Sequence, residues 1–170
     1  MRVKDEWRRL RRSFGYAICG IRDTVKTQRN MQIHVIVALL VLLLGWILAI
    51  PKGDVLLVFF SVFLVLILET VNTAIEHTVD VAIGDRFHPL AKKAKDAAAG
   101  GVLFAAILSV FVGIYVFGEP LWQFIQSGER RVIHIGERGE AVFLFVIALM
   151  FVLVAWLLFE WIRPNKKEED

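Results

Sequence analysis

The sequence predicts an all-α membrane protein, and the distribution of its charges is the main reason. The chain has 170 residues, of which 57% are hydrophobic, a larger share than the roughly 45–50% of an average soluble domain. No Asp, Glu, Lys or Arg occurs from residue 31 to 51, from 97 to 118, or from 141 to 159. Since about 20 helical residues cross a bilayer core of about 30 Å, each stretch is long enough to span it.

The first predicted element lies on the membrane rather than across it. Within residues 5–28, apolar side chains recur at helical spacing, namely Trp7, Leu10, Phe14, Ile18, Ile21 and Val25. Arginines occupy many of the intervening positions. This pattern is typical of an amphipathic helix whose apolar face lies in the headgroup layer. A basic segment that only sets the topology would explain the arginines as well, and the two interpretations are compatible.

Four membrane spans follow, over residues 31–50, 55–79, 97–117 and 141–162. The first two are separated only by Pro51-Lys52-Gly53-Asp54, so they are expected to form a helical hairpin with a tight polar turn. An outer polar loop is expected to begin at residue 119 and to lead into the fourth span. Residues 1–118 would then form one domain, and residues 119–170 would add the loop, the last span and a short tail.

The basic residues predict the orientation of these spans. Residues 1–30, 80–96 and 163–170 hold 16 Lys and Arg, whereas the connections on the other side hold four. The positive-inside rule therefore places both termini and the 80–96 loop in the cytoplasm. An even number of spans is consistent with that placement.

The second span contains a stripe of polar residues. Glu69, Asn72, Glu76 and Asp80 fall within an arc of about 80° on a helix. Ionisable residues inside a membrane span are costly and usually functional. Two carboxylates on one face can divide the tasks of general base and cation ligand. A proton or cation path, or structural packing of protonated carboxyls, would also explain the stripe.

The segment after this stripe favours catalysis on a phosphate. Arg86-Phe87-His88 is followed by a cluster of lysines, by the pair Lys95-Asp96 and then by small residues. Basic side chains at the membrane surface suit anionic phosphates. An ordinary positive-inside anchor would explain Lys92 and Lys93 equally well.

Several familiar site frameworks are excluded. The chain has one cysteine, Cys19, so it has neither a disulfide framework nor a cysteine-based zinc site. It has no Walker A motif and no kinase Gly-rich loop. Phosphoryl transfer by this chain would therefore need another framework. No nucleic-acid partner is expected.

Three separated motifs resemble those of the prokaryotic diacylglycerol kinase and undecaprenol kinase family. Residues 69–80, Glu-Thr-Val-Asn-Thr-Ala-Ile-Glu-His-Thr-Val-Asp, resemble its signature. Residues 88–102 resemble its second segment, with His-Pro-Leu and Ala-Lys-Asp elements. Residues 14–34, with Phe-Gly-Tyr, Gly-Ile-Arg, Arg-Asn and Ile-His elements, are similar to its amino-terminal part. The resemblance covers about residues 10–118.

This resemblance implies a fold and a chemistry. It implies a surface helix plus three transmembrane helices, assembled as a homotrimer with active sites shared between subunits, in the bacterial inner membrane. The implied reaction transfers the γ-phosphate of MgATP to a lipid hydroxyl. Glu69 would be the general base, Glu76 would hold Mg²⁺, and Asn72 would position groups beside them. The implied contacts with ATP are Tyr16, Arg86, Phe87, His88, Lys95 and Asp96.

The sequence departs from the family pattern in two places. Gln28 stands where the family commonly has a second acidic ligand to the metal. A Gln can offer a neutral carbonyl oxygen to Mg²⁺, with lower affinity than a carboxylate. Metal binding could therefore be weaker, another acid such as Asp23 could assist, or the chain could be an inactive member. The fourth span is also additional to the family core, and it would be a packing helix or a determinant of partner or substrate choice.

Undecaprenol is the expected substrate. The stretches His-Pro-Leu-Ala-Lys at residue 88 and Arg-Asn-Met-Gln-Ile-His at residue 29 look closer to the undecaprenol kinase branch of the family. Diacylglycerol is the alternative substrate within the same chemistry. A small cation- or proton-coupled transporter is the alternative from another class.

Overall fold

The computed structural model describes residues 2–84 and 86–127, which form four α-helices in sequence. They are α1 (Arg2–Thr27), α2 (Arg29–Ile47), α3 (Lys52–Ile83) and α4 (Pro89–Ser127). Helices α2, α3 and α4 are each long and apolar enough to cross a membrane. The expected all-α membrane fold is therefore confirmed over these residues. The expected fourth span at 141–162, the loop beyond residue 127 and the tail lie outside the described residues.

A single residue, Gln28, separates α1 from α2. Its backbone is extended, with φ −98° and ψ 112°. The Gln32 side chain reaches back from α2 and donates hydrogen bonds to the carbonyls of Val25 and Lys26, at 3.0 and 3.3 Å. These carbonyls belong to the last turn of α1, where a helix leaves such groups without helical partners. Gln32 therefore stabilises the junction, and α1 packs against both α2 and α3.

The turn between α2 and α3 lies slightly earlier than the sequence suggested. The amide of Ile50 donates to the Gly45 carbonyl and the amide of Ala49 to the Trp46 carbonyl, both at 3.2 Å. This is the hydrogen-bond pattern of a Schellman motif, with Ala49 at φ 50° in the position that usually holds glycine. Lys52-Gly53-Asp54 then forms the first turn of α3 rather than the loop.

Helices α3 and α4 extend beyond their predicted spans. With 32 and 39 residues they are about 48 and 58 Å long, more than a bilayer core of about 30 Å. Because α3 ends at Ile83 and α4 begins at Pro89, the connection between them is shorter than the expected 80–96. At the other end, α4 continues through Pro120 to Ser127, so the expected outer loop does not begin at residue 119. Hydropathy detects only the apolar part of such helices, because their polar ends lie outside the hydrocarbon.

The buried core lies at the end of the bundle away from the polar stripe. It contains Leu42, Leu48, Ile50, Val58, Val116 and Phe117. The contact between α3 and α4 is the most extensive in the structure. Ser109 on α4 contributes to it by donating a hydrogen bond of 3.3 Å to the Ser61 carbonyl on α3. The core fixes the end of the bundle that contains the α2–α3 turn, and the polar stripe lies toward the other end of α3.

Candidate active site

Glu69 is buried within α3 although it is ionisable. Only 2% of its surface is exposed, and the hydroxyl of Thr73 donates 2.9 Å to its backbone carbonyl. Two ionisable groups interact electrostatically with its carboxyl, namely His34 on α2 and Glu76 on the same helix. Burying a carboxyl in a membrane span is costly. The polar stripe therefore faces the other helices of the chain at this position rather than lipid.

Asn72 and Glu76 form a hydrogen-bonded pair one turn further along α3. The Asn72 Nδ2 group donates 3.1 Å to Glu76 Oε1. Asn72 is 6% exposed, and its Oδ1 atom has no hydrogen-bond partner among the described residues. An unpaired buried amide oxygen typically costs about 1–3 kcal/mol. The pair thus fixes one oxygen of Glu76 and leaves a buried acceptor beside it.

The polar stripe ends in an ion pair with α4. Lys95 Nζ lies 2.6 Å from Asp80 Oδ1, with the two side chains 35% and 56% exposed. One residue further, Asp96 pairs with Lys92 at 2.5 Å. The first pair joins two different helices, whereas the second lies within α4. Lys95 is therefore held directly beyond Glu76 along the stripe.

The connection between α3 and α4 provides the cap at the amino-terminal end of α4. His88 accepts a hydrogen bond of 3.2 Å at Nδ1 from the amide of Leu90, and its carbonyl accepts 3.1 Å from the amide of Lys92. It thus caps the helix, and Pro89 occupies the first helical position, where its missing N–H costs little. The neighbouring Phe87 is 79% exposed, and Arg86 is also exposed. Both residues lie in the connection between α3, which carries Asp80, and α4, which carries Lys95.

Two of the expected site residues stand apart from these groups. Tyr16 is 75% exposed on α1. Gln28 lies half-buried at the junction of α1 and α2. Within the described part of the chain, no hydrogen bond joins either side chain to Glu69, Asn72 or Glu76. Within the described residues of one chain, direct contacts join Asn72 to Glu76 and Asp80 to Lys95, and Tyr16 and Gln28 take no part in these contacts.

Comparison with known proteins identifies the family. The pattern described as "Prokaryotic diacylglycerol kinase" matches residues 15–117. The chain belongs to this family. It is 42% identical to an undecaprenol kinase of Bacillus subtilis over 67% of this chain and 92% of that protein. It is also 42% identical to a diacylglycerol kinase of Synechocystis, over 64% of this chain and 62% of that protein, and 32% identical to the diacylglycerol kinase of Escherichia coli, over 60% and 83%. No solved structure matches the chain.

Membership of the prokaryotic diacylglycerol kinase family confirms two expectations. It confirms the resemblance of the three motifs, all of which fall largely within the matched region. It also confirms the expected enzyme class, a lipid kinase, at the level of the family. The apolar lengths of α2, α3 and α4 agree with a membrane enzyme. The homotrimer, the orientation of the termini and the roles of individual residues remain predictions.

The donor atoms present fit a magnesium ion that arrives with a nucleotide. Among residues 2–84 and 86–127, no group of three or more His, Cys, Asp or Glu could hold a metal ion by itself. Mg²⁺ is usually bound by one or two carboxylates together with substrate phosphates. Glu76 supplies a carboxylate, and the unpaired Oδ1 of Asn72 supplies a further hard oxygen. Both are oxygen donors of the kind that Mg²⁺ prefers.

Sequence reasoning missed one residue of this site, His34. Its position on α2 follows from the buried face of that helix, which contains Met31, Ala38, Leu42 and Gly45. His34 lies four residues before Ala38 and thus on the same side. The signal was present, because His34 is the one titratable side chain between residues 31 and 51. Histidine is absent from the pattern of Asp, Glu, Lys and Arg that marks the spans, so the sequence indicates His34 only through the Ile-His element of the amino-terminal motif.

Proposed function

We propose that this chain transfers the γ-phosphate of ATP to the hydroxyl of a membrane lipid alcohol, with undecaprenol as the favoured substrate. The observation that carries the proposal is the buried Glu69 carboxyl beside the Asn72–Glu76 pair, in a chain of the prokaryotic diacylglycerol kinase family. Diacylglycerol is the alternative substrate, because one relative named undecaprenol kinase and another named diacylglycerol kinase are each 42% identical to this chain.

Glu69 would act as the general base. Its carboxylate takes the proton of the lipid hydroxyl, and the oxygen so activated forms a bond to the γ-phosphorus. The bond between this phosphorus and the oxygen that bridges to the β-phosphate breaks, so that ADP leaves with the electron pair. The proton is later released from Glu69 to water. Burial of Glu69 at 2% exposure excludes bulk water from this step.

Glu76 and Asn72 would hold the metal end of the nucleotide. The hydrogen bond from Asn72 orients one oxygen of Glu76 and leaves its other oxygen available for a cation. When bound, Mg²⁺ neutralises phosphate charge during transfer. Gln28 would add a neutral oxygen ligand. Phosphoryl transfer requires mainly alignment and charge neutralisation, which these side chains can supply.

The cytoplasmic ends of α3 and α4 would bind the rest of ATP. Lys95 and Asp96 would contact the phosphates or the ribose, and the exposed Arg86, Phe87 and His88 would lie along the nucleotide. Tyr16 would join them from α1. A homotrimer with shared active sites, which the family resemblance implies, is part of this proposal. The termini and this nucleotide site would face the bacterial cytoplasm.

An assay of the purified protein tests the proposal. The protein is incubated with γ-labelled ATP and Mg²⁺ in detergent micelles that contain either undecaprenol or diacylglycerol. We expect both lipids to be labelled only in the presence of Mg²⁺. We expect more label in undecaprenol than in diacylglycerol. If neither lipid is labelled, the proposed function is wrong. If diacylglycerol is labelled faster, the alternative substrate replaces undecaprenol.

Variants of α3 test the role of Glu69 in the same assay. We expect Glu69→Gln to abolish transfer, since the amide cannot accept the proton, while the variant stays folded. Asp54→Asn is the matched control, because it makes the same chemical change in the first turn of α3, far from the stripe. Turnover at the wild-type rate in Glu69→Gln would show that Glu69 is not the base.

A further inference from the structure

Helix α1 packs into one chain through its carboxyl-terminal end. Every residue from 5 to 21 is exposed within the chain. Thr24, in the last part of the helix, is buried, with 5% of its surface exposed. After α1 ends at Thr27, the single residue Gln28 leads into α2. The direction of α1 relative to the other helices of the chain is therefore set at this short junction.

The backbone of Gln28 belongs to both helices. Its amide donates a hydrogen bond of 2.9 Å to the Thr24 carbonyl of α1, and its carbonyl accepts 3.2 Å from the Gln32 amide of α2. Its side chain makes no capping hydrogen bond, although the side chain at this position of a helix commonly accepts one from the first turn. The backbone of Gln28 is thus fixed, while its side chain is left available for a ligand.

The Gln32 side chain connects the two helices across this junction. Its Nε2 group donates to the carbonyls of Val25 and Lys26, at 3.0 and 3.3 Å. An amide nitrogen carries two hydrogens, so one side chain can make both bonds. The last carbonyls of a helix lack helical partners, and these bonds supply them from outside α1. We call the two bonds the Gln32 tie, because they join α2 to the last turn of α1.

We propose that Gln32 is a positioning residue, whose tie holds Gln28 and Tyr16 where they can reach the metal and the nucleotide. This inference rests on the proposed function, which assigns Gln28 to Mg²⁺ and Tyr16 to ATP. Tyr16 precedes Gln28 by twelve residues, about 18 Å along α1, so a rotation of about 20° at the junction would displace it by about 6 Å. Loss of the tie should therefore weaken the binding of metal and ATP and leave proton transfer to Glu69 intact.

Three substitutions of Gln32 separate hydrogen bonding from packing. A methionine side chain has a similar length but no N–H donor, and an ionised glutamate has the same shape but only acceptors. A lysine side chain keeps N–H donors, and its charge is favourable at the carboxyl end of a helix. Gln32→Met and Gln32→Glu should therefore lose the tie, whereas Gln32→Lys should keep it. If Gln32 only filled space, Gln32→Met would be the best tolerated of the three.

Thr27 provides the matched control. Its hydroxyl donates a hydrogen bond of 2.8 Å to the Asp23 carbonyl, which also belongs to the end of α1. This bond stays within α1 and does not reach α2. Thr27→Val removes it with little change of shape, so we expect this variant to behave like the wild type in every measurement below.

The first measurement follows α1 directly and requires no turnover. Cys19 is the one cysteine of the sequence and lies exposed on α1, so a nitroxide spin label can be attached there without further engineering. Electron paramagnetic resonance of the full-length protein in a lipid bilayer then reports the mobility of the label. We expect a more mobile component in Gln32→Met and Gln32→Glu, and the wild-type spectrum in Gln32→Lys and Thr27→Val.

The second measurement follows metal and nucleotide. In the kinase assay, Gln32→Met should raise the Mg²⁺ concentration for half-maximal activity and the KM for ATP by about tenfold each, the change that loss of roughly one net hydrogen bond brings. The KM for the lipid, and kcat at saturating Mg²⁺ and ATP, should stay unchanged. Binding of Mn²⁺ with a non-hydrolysable ATP analogue to the unlabelled protein should weaken by a similar factor, and this readout does not depend on turnover. Gln32→Lys should restore all of these values.

A double-mutant cycle tests whether Gln32 acts through Gln28. Residues that act through one another give non-additive effects. In a Gln28→Ala background, Gln32→Met should therefore cause no further rise in the Mg²⁺ requirement, although it should still raise the KM for ATP through Tyr16. A full additional rise in the Mg²⁺ requirement would show that Gln32 does not position Gln28.

Other outcomes would overturn the assignment of Gln32. An unchanged Cys19 spectrum in Gln32→Met would show that the tie does not hold α1. A more mobile label with unchanged binding of Mn²⁺ and ATP would make Gln32 a purely structural residue, and failure of Gln32→Lys to restore binding would exclude the hydrogen bonds as the cause. The proposed function is judged separately. If Gln32→Met loosens α1 and weakens Mn²⁺ binding but no lipid is phosphorylated by the wild type, the role of Gln32 stands and the kinase proposal fails.

Discussion

Lys95 Nζ on α4 lies 2.6 Å from Asp80 Oδ1 on α3, and this ion pair joins the two helices at the end of the polar stripe. Both side chains are partly exposed, and such pairs typically contribute about 0–1 kcal/mol to stability. The pair is therefore a weak reason for α3 and α4 to pack, since their apolar contact is extensive. Its importance would lie in holding Lys95 where nucleotide phosphates are proposed to bind.

This relationship predicts that Lys95 affects nucleotide binding more than folding. A hydrogen bond to a charged group contributes about 1.5–3 kcal/mol, so Lys95→Gln should raise the KM for ATP by about 10- to 100-fold. The thermal unfolding temperature in detergent should change by only a few degrees. Lys93→Gln is the control, because Lys93 is an exposed lysine half a turn away.

A variant of Asp80 distinguishes two possible roles of Lys95, which are to bind ATP and to pair with Asp80. Asp80→Asn removes the same ion pair but keeps the Lys95 ammonium, so we expect a smaller rise in the KM for ATP than in Lys95→Gln. An equal rise in the KM for ATP in Asp80→Asn and Lys95→Gln would mean that nucleotide binding depends on the ion pair itself. Lys95 would then be a structural residue and not a ligand of ATP.

Gln28 leads to a prediction about metal requirement. Replacing its amide by a carboxylate adds a charged oxygen donor, and ligand charge governs affinity for hard cations. Gln28→Glu should lower the Mg²⁺ concentration for half-maximal activity by about tenfold, the lower end of the change that altered metal shells bring. Activity is measured over a range of Mg²⁺ at saturating ATP.

The control for this prediction adds the same charge nearby. Asn30→Asp places a carboxylate in the first turn of α2, on an exposed residue that is not a candidate ligand. It reproduces the general electrostatic effect of a new negative charge at this helix start. An unchanged Mg²⁺ requirement in Gln28→Glu, or an equal shift in Asn30→Asp, would remove Gln28 from the metal site.

Much of this fold could be predicted from the sequence because charge-free stretches have a direct physical meaning in a bilayer. The hairpin of α2 and α3 followed from the short polar segment between two apolar stretches. The shared face of Glu69, Asn72, Glu76 and Asp80 followed from helical geometry. The residues at which α3 and α4 end could not be predicted, because polar helical turns outside the hydrocarbon have a hydropathy similar to that of loops. Helix α4 continues past Pro120, which a helix can do at the loss of one hydrogen bond.

The partners of the polar stripe could not be predicted in the same way. Periodicity shows that residues share a face of α3, but not which neighbouring helix that face contacts. The proximity of His34 to Glu69 and the pairing of Asp80 with Lys95 depend on how α2 and α4 pack against α3. The roles of Glu69, Glu76 and Asn72 came from the family resemblance, and they remain predictions that variants must test.

Asn72 provides the last prediction, in which activity and stability should change in opposite directions. Its buried Oδ1 has no hydrogen-bond partner among the described residues, and such a group costs about 1–3 kcal/mol. Asn72→Leu removes this orphaned acceptor and fills a similar volume in a helix. We expect its unfolding temperature to be equal to or higher than that of the wild type.

The same variant should be nearly inactive. Without the amide, Glu76 Oε1 loses the donor at 3.1 Å that orients it, and the acceptor proposed to face the metal is gone. Removing one preorganised polar group of this kind costs about 100- to 1,000-fold in kcat. Asn72→Asp is the companion variant: it keeps an oxygen at Oδ1 but places a like charge beside Glu76, and it should lose both activity and stability. A stable Asn72→Leu protein with activity near that of the wild type would show that Asn72 packs against α2 or α4 without taking part in the reaction.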